Sequence, residues 1–390
     1  MNRRTRTLLV LICGVAVASV YASQPVIGQM GVDLGVPAGS VGWFVAVGQL
    51  GYLLGLIFLV PLGDLIDRRQ LIVAHLIAVA AGLVLVAAAP AAWVAFAGIA
   101  ITGVFAVVVQ TAVAYAAAVS APAERGHNLG IVTSGVVVGI LGGRILAGFL
   151  ADVWGWRSVF IVLAVFAATL VLLMLLLLPD DARPRDVRYG ALIRSFAGMF
   201  FQPVFFSRGV IAFFLFASFG ALWSGMTLPL TASPWHLNET QVGLFGIAGL
   251  AGAIGAARAG SWADAGSANR LTGIALVILL ISWLAIGQLP SSLILLIVGV
   301  ILLDFAVQAT HVSNQHLLTS VYADRTSTTI GAYMVFYSLG SALGAATTTA
   351  LYDTAGWAGS ALLGAAFAVG GLSTWALNRR TMNRVRPTVR

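Results

Sequence analysis

Residues 62–70 read LGDLIDRRQ and residues 262–270 read WADAGSANR, which sets Asp64 against Asp264 about 200 residues apart. Three more pairs keep the same order at nearly the same offset. APAERGHNLG at 121–130 faces YADRTSTTIG at 322–331, which brings Arg125 and Arg325 within one place of each other. WGWR at 154–157 faces AGWA at 355–358, and SVGWF at 40–44 faces QVGLF at 241–245. Each match is short, but four in one order describe a chain made of two similar halves. The fold then follows from what one half contains.

The composition places both halves in a membrane. Hydrophobic residues make up 60% of the chain and charged residues 9%, with a mean hydropathy of +0.99. A soluble surface takes about 25% charged residues, so this chain cannot cover itself in water. The net charge of +8 comes from arginine alone, and the arginines gather at the ends of apolar runs without interleaved aromatics. That arrangement excludes a nucleic-acid surface. The single cysteine, Cys13, sits in an apolar run and offers neither an internal disulfide nor a cysteine metal site.

About 20 apolar residues cross the hydrocarbon core as a helix. Twelve such segments are legible, at about 7–29, 40–62, 70–89, 92–120, 127–152, 156–179, 208–232, 239–262, 269–289, 291–320, 326–352 and 355–378. Six per half keeps both repeats in the same orientation. The expected fold is therefore an all-α membrane protein of 12 transmembrane helices in two six-helix pseudo-repeats. Residues 1–179 form the N-terminal bundle, 180–207 a cytoplasmic linker with room for a surface helix, and 208–390 the C-terminal bundle.

Arginine sets the orientation. With the N-terminus inside, Arg3, Arg4, Arg6, Arg68, Arg69, Arg125, Arg183, Arg185, Arg188, Arg194, Arg208, Arg270, Arg325 and the cluster from Arg379 to Arg390 all fall on the cytoplasmic side, and only Arg157 falls in an outer link. The positive-inside rule then puts both termini in the cytoplasm of a multi-pass protein of the bacterial cytoplasmic membrane. The first residues, MNRRTRTLLVLICGVAVASVYASQ, also resemble a signal peptide ending at VYA. Cleavage there would leave eleven spans and spoil the arginine alternation, so the stretch is read as span 1.

VPLGDLIDRRQLI, between spans 2 and 3, resembles the loop signature of the major facilitator superfamily: a glycine, an acid, a second glycine and two cations. GWRSVF entering span 6 and GVVVGILGGR in span 5 are similar to further features of that family. YASQPVIGQMGVDLGV, GQLGYLLGLIFLVPLGD and LLDFAVQATHVSNQ resemble its bacterial arabinose-efflux-like, or drug:proton-antiporter-like, branch. The resemblance spans the whole chain. It departs at Val60 and Asp67, which stand at the two glycines of the loop signature, at Ile99, where many proton-linked members carry arginine, and at Ile140, where the antiporter motif has proline. The resemblance implies that Asp64, Arg68 and Arg69 form a conformational latch at the cytoplasmic face. The bland alternative is that these charges only set topology.

The residues that could carry chemistry lie inside spans. Asp304, Gln308, His311 and Gln315 fall at i, i+4, i+7 and i+11 of the tenth span. At 100° per residue they share a stripe about 60° wide and roughly 16 Å long, which Thr319 extends. Asp304 is the acid deepest within an apolar run, and a lipid-facing carboxylate there costs several kcal/mol, so the stripe should face protein or a watery cavity. Its readings are a solute- or proton-binding face or a packing network. Arg144, at mid-depth in span 5, is the natural counter-charge for Asp304; holding an anionic solute is its other reading. His311 reads either as a titratable neighbour or as a hydrogen-bonded neutral histidine. Asp304, His311 and Arg144 thus form the proton-coupling candidates. His75 reads as structural, Arg258 as an anchor at the inner end of span 8, and Asn314 and His316 point off the stripe.

The candidate solute-binding walls are Gln24, Gln49, Tyr52, Gln110, Tyr115, Trp223, Gln308, Gln315, Tyr333 and Tyr337, together with Tyr21 and Thr227. As a set they are aromatic and hydrogen-bonding with little fixed charge, which suits a neutral or amphipathic organic solute. Glycines four apart, Gly135, Gly139 and Gly143, Gly51 and Gly55, and Gly340 and Gly344, suit close helix approach or sliding between halves.

The leading expectation is a monomeric secondary transporter that exports a small organic solute or drug against proton entry by alternating access. A facilitative uniporter or an importer of a metabolite is the alternative, and a non-transporting membrane sensor is a remote one. GDLIDRR carries acids three apart, but the companion aspartates of a metal-phosphate enzyme site are not in the sequence around it. No enzyme activity, cofactor or metal is expected.

Overall fold

The computed structural model describes residues 1–121, 124–177, 189–262, 268–322 and 325–384. Among them there is no strand, and ten helical stretches are long and apolar enough to cross a membrane. Hydrocarbon offers no partner to a backbone N–H or C=O, so such runs close their hydrogen bonds within a helix. The last stretch is two helices, broken at Gly356 (φ +62), and Glu239–Trp262 adds another. In chain order these are α1 (Arg3–Tyr21), α2 (Trp43–Phe58), α3 (Arg68–Ala87), α4 (Ala92–Val119), α5 (Arg125–Trp154) and α6 (Trp156–Leu177). The second set is α7 (Pro203–Gly225), α8 (Glu239–Trp262), α9 (Ala268–Ile286), α10 (Leu293–Val321), α11 (326–355) and α12 (357–384). The architecture is the expected all-α one of twelve helices. A further helix, Tyr189–Met199, lies in the linker.

By packing, the chain divides into two units, residues 1–37, 44–193 and 237–246 in one and 38–43, 194–236 and 247–390 in the other. In the first, Asp152 of α5 caps α8, accepting from Glu239 N at 3.0 Å and Thr240 N at 2.9 Å. In the second, Thr349 of α11 accepts from Gly42 N at 3.1 Å.

The duplication recurs in the packing of each unit. In the first, α5 lies on α1 through Gly135, Gly139 and Gly143: a Cβ on Gly139 would stand 2.3 Å from the carbonyl oxygen of Gly14. In the second, α11 lies on α7 through Gly340 and Gly344, where a Cβ would stand 2.1 Å from the carbonyl oxygens of Phe213 and Ala217. Gly139 and Gly340 occupy equivalent places, as do Gly143 and Gly344. These glycines, with Gly51 and Gly55 against Ala100 and Val104 of α4, work within a unit as close-packing contacts.

Gly155 (φ +79) and Gly356 (φ +62) are also equivalent. Both break a helix pair at a backbone angle that costs glycine little, and the indole after each is tied down. Trp156 donates to Asp33 Oδ2 at 3.1 Å, and Trp357 donates to the carbonyl of Ile286 at 2.9 Å. Arg157 adds an ion pair to Asp33, a bond to the carbonyl of Ala89 at 2.9 Å and a stack on Trp156. The outer-link arginine of the sequence therefore ties the start of α6 to the ends of two other elements.

The glycine contacts leave no room for a side chain. Gly139→Val and Gly340→Val should each destabilise by about 1–3 kcal/mol or more, read as a lower unfolding temperature and a lower yield of monodisperse protein in detergent. Gly142→Ala, whose added Cβ meets nothing within 4 Å, should leave both unchanged. Equal behaviour of the three variants would contradict the packing role.

Candidate functional site

The stripe sits on α10, whose N-terminus is set by Ser292, a side-chain cap that accepts from Leu295 N at 3.2 Å. Leu296, Val300, Leu303, Ala306 and Val307 pack inward from this helix. Asp304, Gln308, His311, Gln315 and Thr319 are all half-buried. Asp304 lies eleven residues into α10, roughly 17 Å along its axis.

Glycine brings α8 to this acid. A Cβ on Gly252 would stand 2.4 Å from the carbonyl of Ile301, and one on Gly249 would stand 2.9 Å from Trp223 Cζ2 and 3.2 Å from Asp304 Oδ2. The carboxylate and the Trp223 indole thus flank one bare stretch of α8 backbone. Trp223 is buried and packs on Phe219 at a ring separation of 6.2 Å. A carboxyl group so enclosed is suited to exchange a proton or to hold one polar group of a solute.

One and two turns further on, His311 is held on both ring nitrogens. Nδ1 lies 3.3 Å from the Tyr333 hydroxyl, and Nε2 lies 3.1 Å from Gln315 Nε2. Its ring meets Phe216 edge-on at 5.3 Å, and Phe216 in turn packs on Tyr337 at 4.2 Å. Four of the residues singled out in the sequence, His311, Gln315, Tyr333 and Tyr337, are therefore one cluster.

Behind that cluster lies a residue that sequence reasoning assigned only to topology. Arg208, near the start of α7, is wholly buried. Its Nη1 donates to Asn314 Oδ1 at 2.9 Å and Thr272 Oγ1 at 3.1 Å, and its Nη2 donates to Asn269 Oδ1 at 2.8 Å. Among the described residues it has no acidic partner. Asn314 also donates to Tyr333 at 3.4 Å. Asn314 does point off the stripe, as the helix period predicts, but it points into protein and joins the guanidinium to the tyrosine. His316, in contrast, is exposed.

In the other unit Arg144 is equally buried. Its Nε and Nη2 donate to the same oxygen, Gln24 Oε1, at 2.9 and 2.8 Å, and its guanidinium lies 5.3 Å from the centre of the Tyr21 ring. Gln110 donates to Tyr52 at 3.3 Å. Gln49 is buried, and its Oε1 finds no hydrogen-bond partner among the described residues. Tyr115 sits in the apolar core with Leu8, Ile12, Val108 and Ala112. His75 is buried, its ring 5.7 Å from that of Phe105. Thr227 is buried in the second unit.

Asp64, Arg68 and Arg69, the residues expected to form a latch, lie where α2 meets α3. Arg68 reaches Asp64 at 3.4 Å. Arg69 donates to the carbonyls of Met174 and Leu175 at 3.4 and 2.8 Å, placing a cation on the C-terminal end of α6. Asp67, which stands where the family pattern has glycine, is the N-cap of α3 and accepts from Gln70 N at 3.0 Å. Asp264 and the side chain of Arg258 lie outside the described residues.

Comparison with known proteins gives this geometry a setting. The model of the Major Facilitator Superfamily matches residues 9–264 and 208–389. The uncharacterized transporter YgaY of Escherichia coli O157:H7 is 37% identical over 369 residues, covering 94% of both chains. The inner membrane transport protein YnfM of Escherichia coli K12 is 26% identical over 270 residues, 65% of this chain and 62% of its own. Among solved structures, a bacterial homologue of the human lysosomal transporter Spinster superposes with a TM-score of 0.80 over 100% of both chains at 16% identity.

Gln24 supplies one oxygen to two donors of a buried cation. Gln24→Leu should cost about 1.5–3 kcal/mol for each charged hydrogen bond lost, seen as reduced thermal stability in detergent. Gln24→Glu, which keeps the acceptor, should restore most of it. A leucine variant as stable as the parent would show that this contact does not hold Arg144.

Proposed function

The chain belongs to the Major Facilitator Superfamily and is a multi-pass membrane transporter, and on that premise we propose that it exports a small organic solute across the cytoplasmic membrane in exchange for entering protons, by alternating access. The observation that carries this reading is Asp304, an acid in the middle of α10 that shares a helix face with Gln308, His311 and Gln315 and lies against Gly249, as does Trp223. Ionised, such a carboxylate is costly in a low-dielectric setting; protonated, it is not. Its charge state therefore biases whichever conformation solvates it better. Arg144 and His311 complete the proton-coupling set.

Gln24, Gln49, Tyr52, Gln110, Tyr115, Trp223, Gln308, Gln315, Tyr333 and Tyr337 form the solute-binding set in this reading. Their amides, phenols and indole recognise a neutral or amphipathic organic molecule through shape and a few hydrogen bonds. Asp64, Arg68 and Arg69 act as the latch, with their short-range charge pairs remade in each cycle. The resemblance of YASQPVIGQMGVDLGV and its neighbours to efflux members supports the outward direction. The arginine alternation supports cytoplasmic termini. One chain carries both six-helix halves, so a monomer suffices for the cycle.

Proteoliposomes loaded with a pH-reporting dye and challenged with a panel of neutral and amphipathic organic compounds provide the test. An accepted compound should move protons, and Asp304→Asn should cut gradient-driven flux by roughly 5- to 150-fold, the span of a typical coupling free energy. Full gradient-driven flux in that variant would sink the coupling scheme, and flux indifferent to the gradient would mark a uniporter. Separately, a fluorescent protein fused to the C-terminus should fold and shine, whereas an alkaline phosphatase fused there should stay inactive. The opposite pattern would reverse the orientation.

A further inference from the structure

The path from Arg208 to His311 runs through two side chains, and the direction of each hydrogen bond in it follows from the first donor. A guanidinium has five N–H donors and no acceptor. Asn314 must therefore turn Oδ1 towards Arg208 Nη1, 2.9 Å away, which leaves its Nδ2 facing the Tyr333 hydroxyl at 3.4 Å. The phenol oxygen accepts that bond and keeps its own proton to give. Tyr333 is 0% exposed, so solvent does not take the proton, and the acceptor in reach is His311 Nδ1 at 3.3 Å. The reverse arrangement, with His311 donating from Nδ1, would bury the phenolic proton without an acceptor, a state that folded chains avoid.

With Nδ1 accepting, the neutral imidazole carries its proton on Nε2, which faces Gln315 Nε2 at 3.1 Å, so the amide of Gln315 must be turned over. Gln315 then has to meet the ring with Oε1. The two orientations of an amide have the same shape and are told apart by their partners. Its NH2 group is left for whatever else lies on the stripe.

We propose that Arg208 is a positioning residue that, through Asn314 and Tyr333, fixes His311 as the Nε2–H tautomer and turns Gln315 so that its NH2 group faces a bound solute. The stripe thereby selects solutes that offer a hydrogen-bond acceptor, such as a carbonyl, ether or hydroxyl oxygen, at that point. The selectivity rests on the reading of the stripe as a solute face, whereas the relay from Arg208 to His311 does not.

The relay is tested by nitrogen NMR of the full-length protein in detergent at neutral pH, with its five histidines labelled with 15N in the ring and the His311 signals assigned by their loss in His311→Gln. In the parent, His311 should show a protonated Nε2 and a bare Nδ1. A proton on Nδ1, or on both nitrogens, overturns the proposal. Asn314→Asp keeps the shape and gives Arg208 a counter-charge, but it reverses the polarity of the path. A carboxylate accepts from both Arg208 and Tyr333, so the phenol oxygen becomes an acceptor and the His311 proton should move to Nδ1. An unmoved proton overturns the relay. Tyr333→Phe, which keeps the ring, should replace the single tautomer with a mixture, and an unchanged Nε2–H form there also overturns it. These spectra need neither solute nor gradient. An Nε2–H parent with no proton flux would sink the transport reading alone, and flux with an Nδ1–H parent would sink this inference alone.

Discussion

Every hydrogen-bonding group within the membrane has to find its partner inside the chain, and the rest of this structure depends on that constraint. The backbone meets it by forming helices. The helices then meet one another through bare glycine faces, as at Gly139 and Gly340, because lipid gives no hydrophobic reason for them to associate and close contact must supply the attraction. Polar side chains meet the constraint by linking up. Each unit buries an arginine that rests on amide oxygen, Arg144 on Gln24 in one and Arg208 on Asn314 and Asn269 in the other. For Arg208 the printed partners are amide and hydroxyl oxygens, and an amide oxygen satisfies a guanidinium proton without cancelling the charge, which differs from what a carboxylate would do.

The parts of the fold that follow from local rules were legible in the sequence. Span count came from the length of apolar runs, and the duplication came from short matched loops. One of those matches, WGWR against AGWA, falls on the two glycines with positive φ that split α5 from α6 and α11 from α12. The stripe on α10 was legible because helix period is a property of the backbone. His311 and Gln315 share the stripe and Tyr333 and Tyr337 are legible as wall residues, but the union of the two pairs is not, since it depends on how α7, α10 and α11 meet.

What escaped the sequence escaped for identifiable reasons. Arg208 lies near the end of an apolar run, where arginine is the ordinary mark of topology, and nothing along the chain distinguishes a buried arginine there from an interfacial one. Asn314 was set aside because it leaves the stripe. The period sorts residues by direction but does not say which directions lead to other side chains. Asp67 stood out as a departure from the family's loop pattern. Its role as N-cap was open to reading, because an aspartate three residues before a glutamine at a helix start is a capping signal in its own right.

The helix α10 shows how such a chain separates chemistry from its support. One face carries Asp304, Gln308, His311 and Gln315, half-buried and spaced along the axis. Another carries Thr310, Ser313 and Asn314, all wholly buried. His311 belongs to the first face, but its bond to Tyr333 ties it to the second, because Asn314 shares that hydroxyl. A donor-only cation at the far end of such a path gives it a fixed sense, and a neutral histidine at the near end has two forms from which that sense can choose. On the proposed reading, the chemistry offered on the open face is set from behind it, by Arg208 and Asn314.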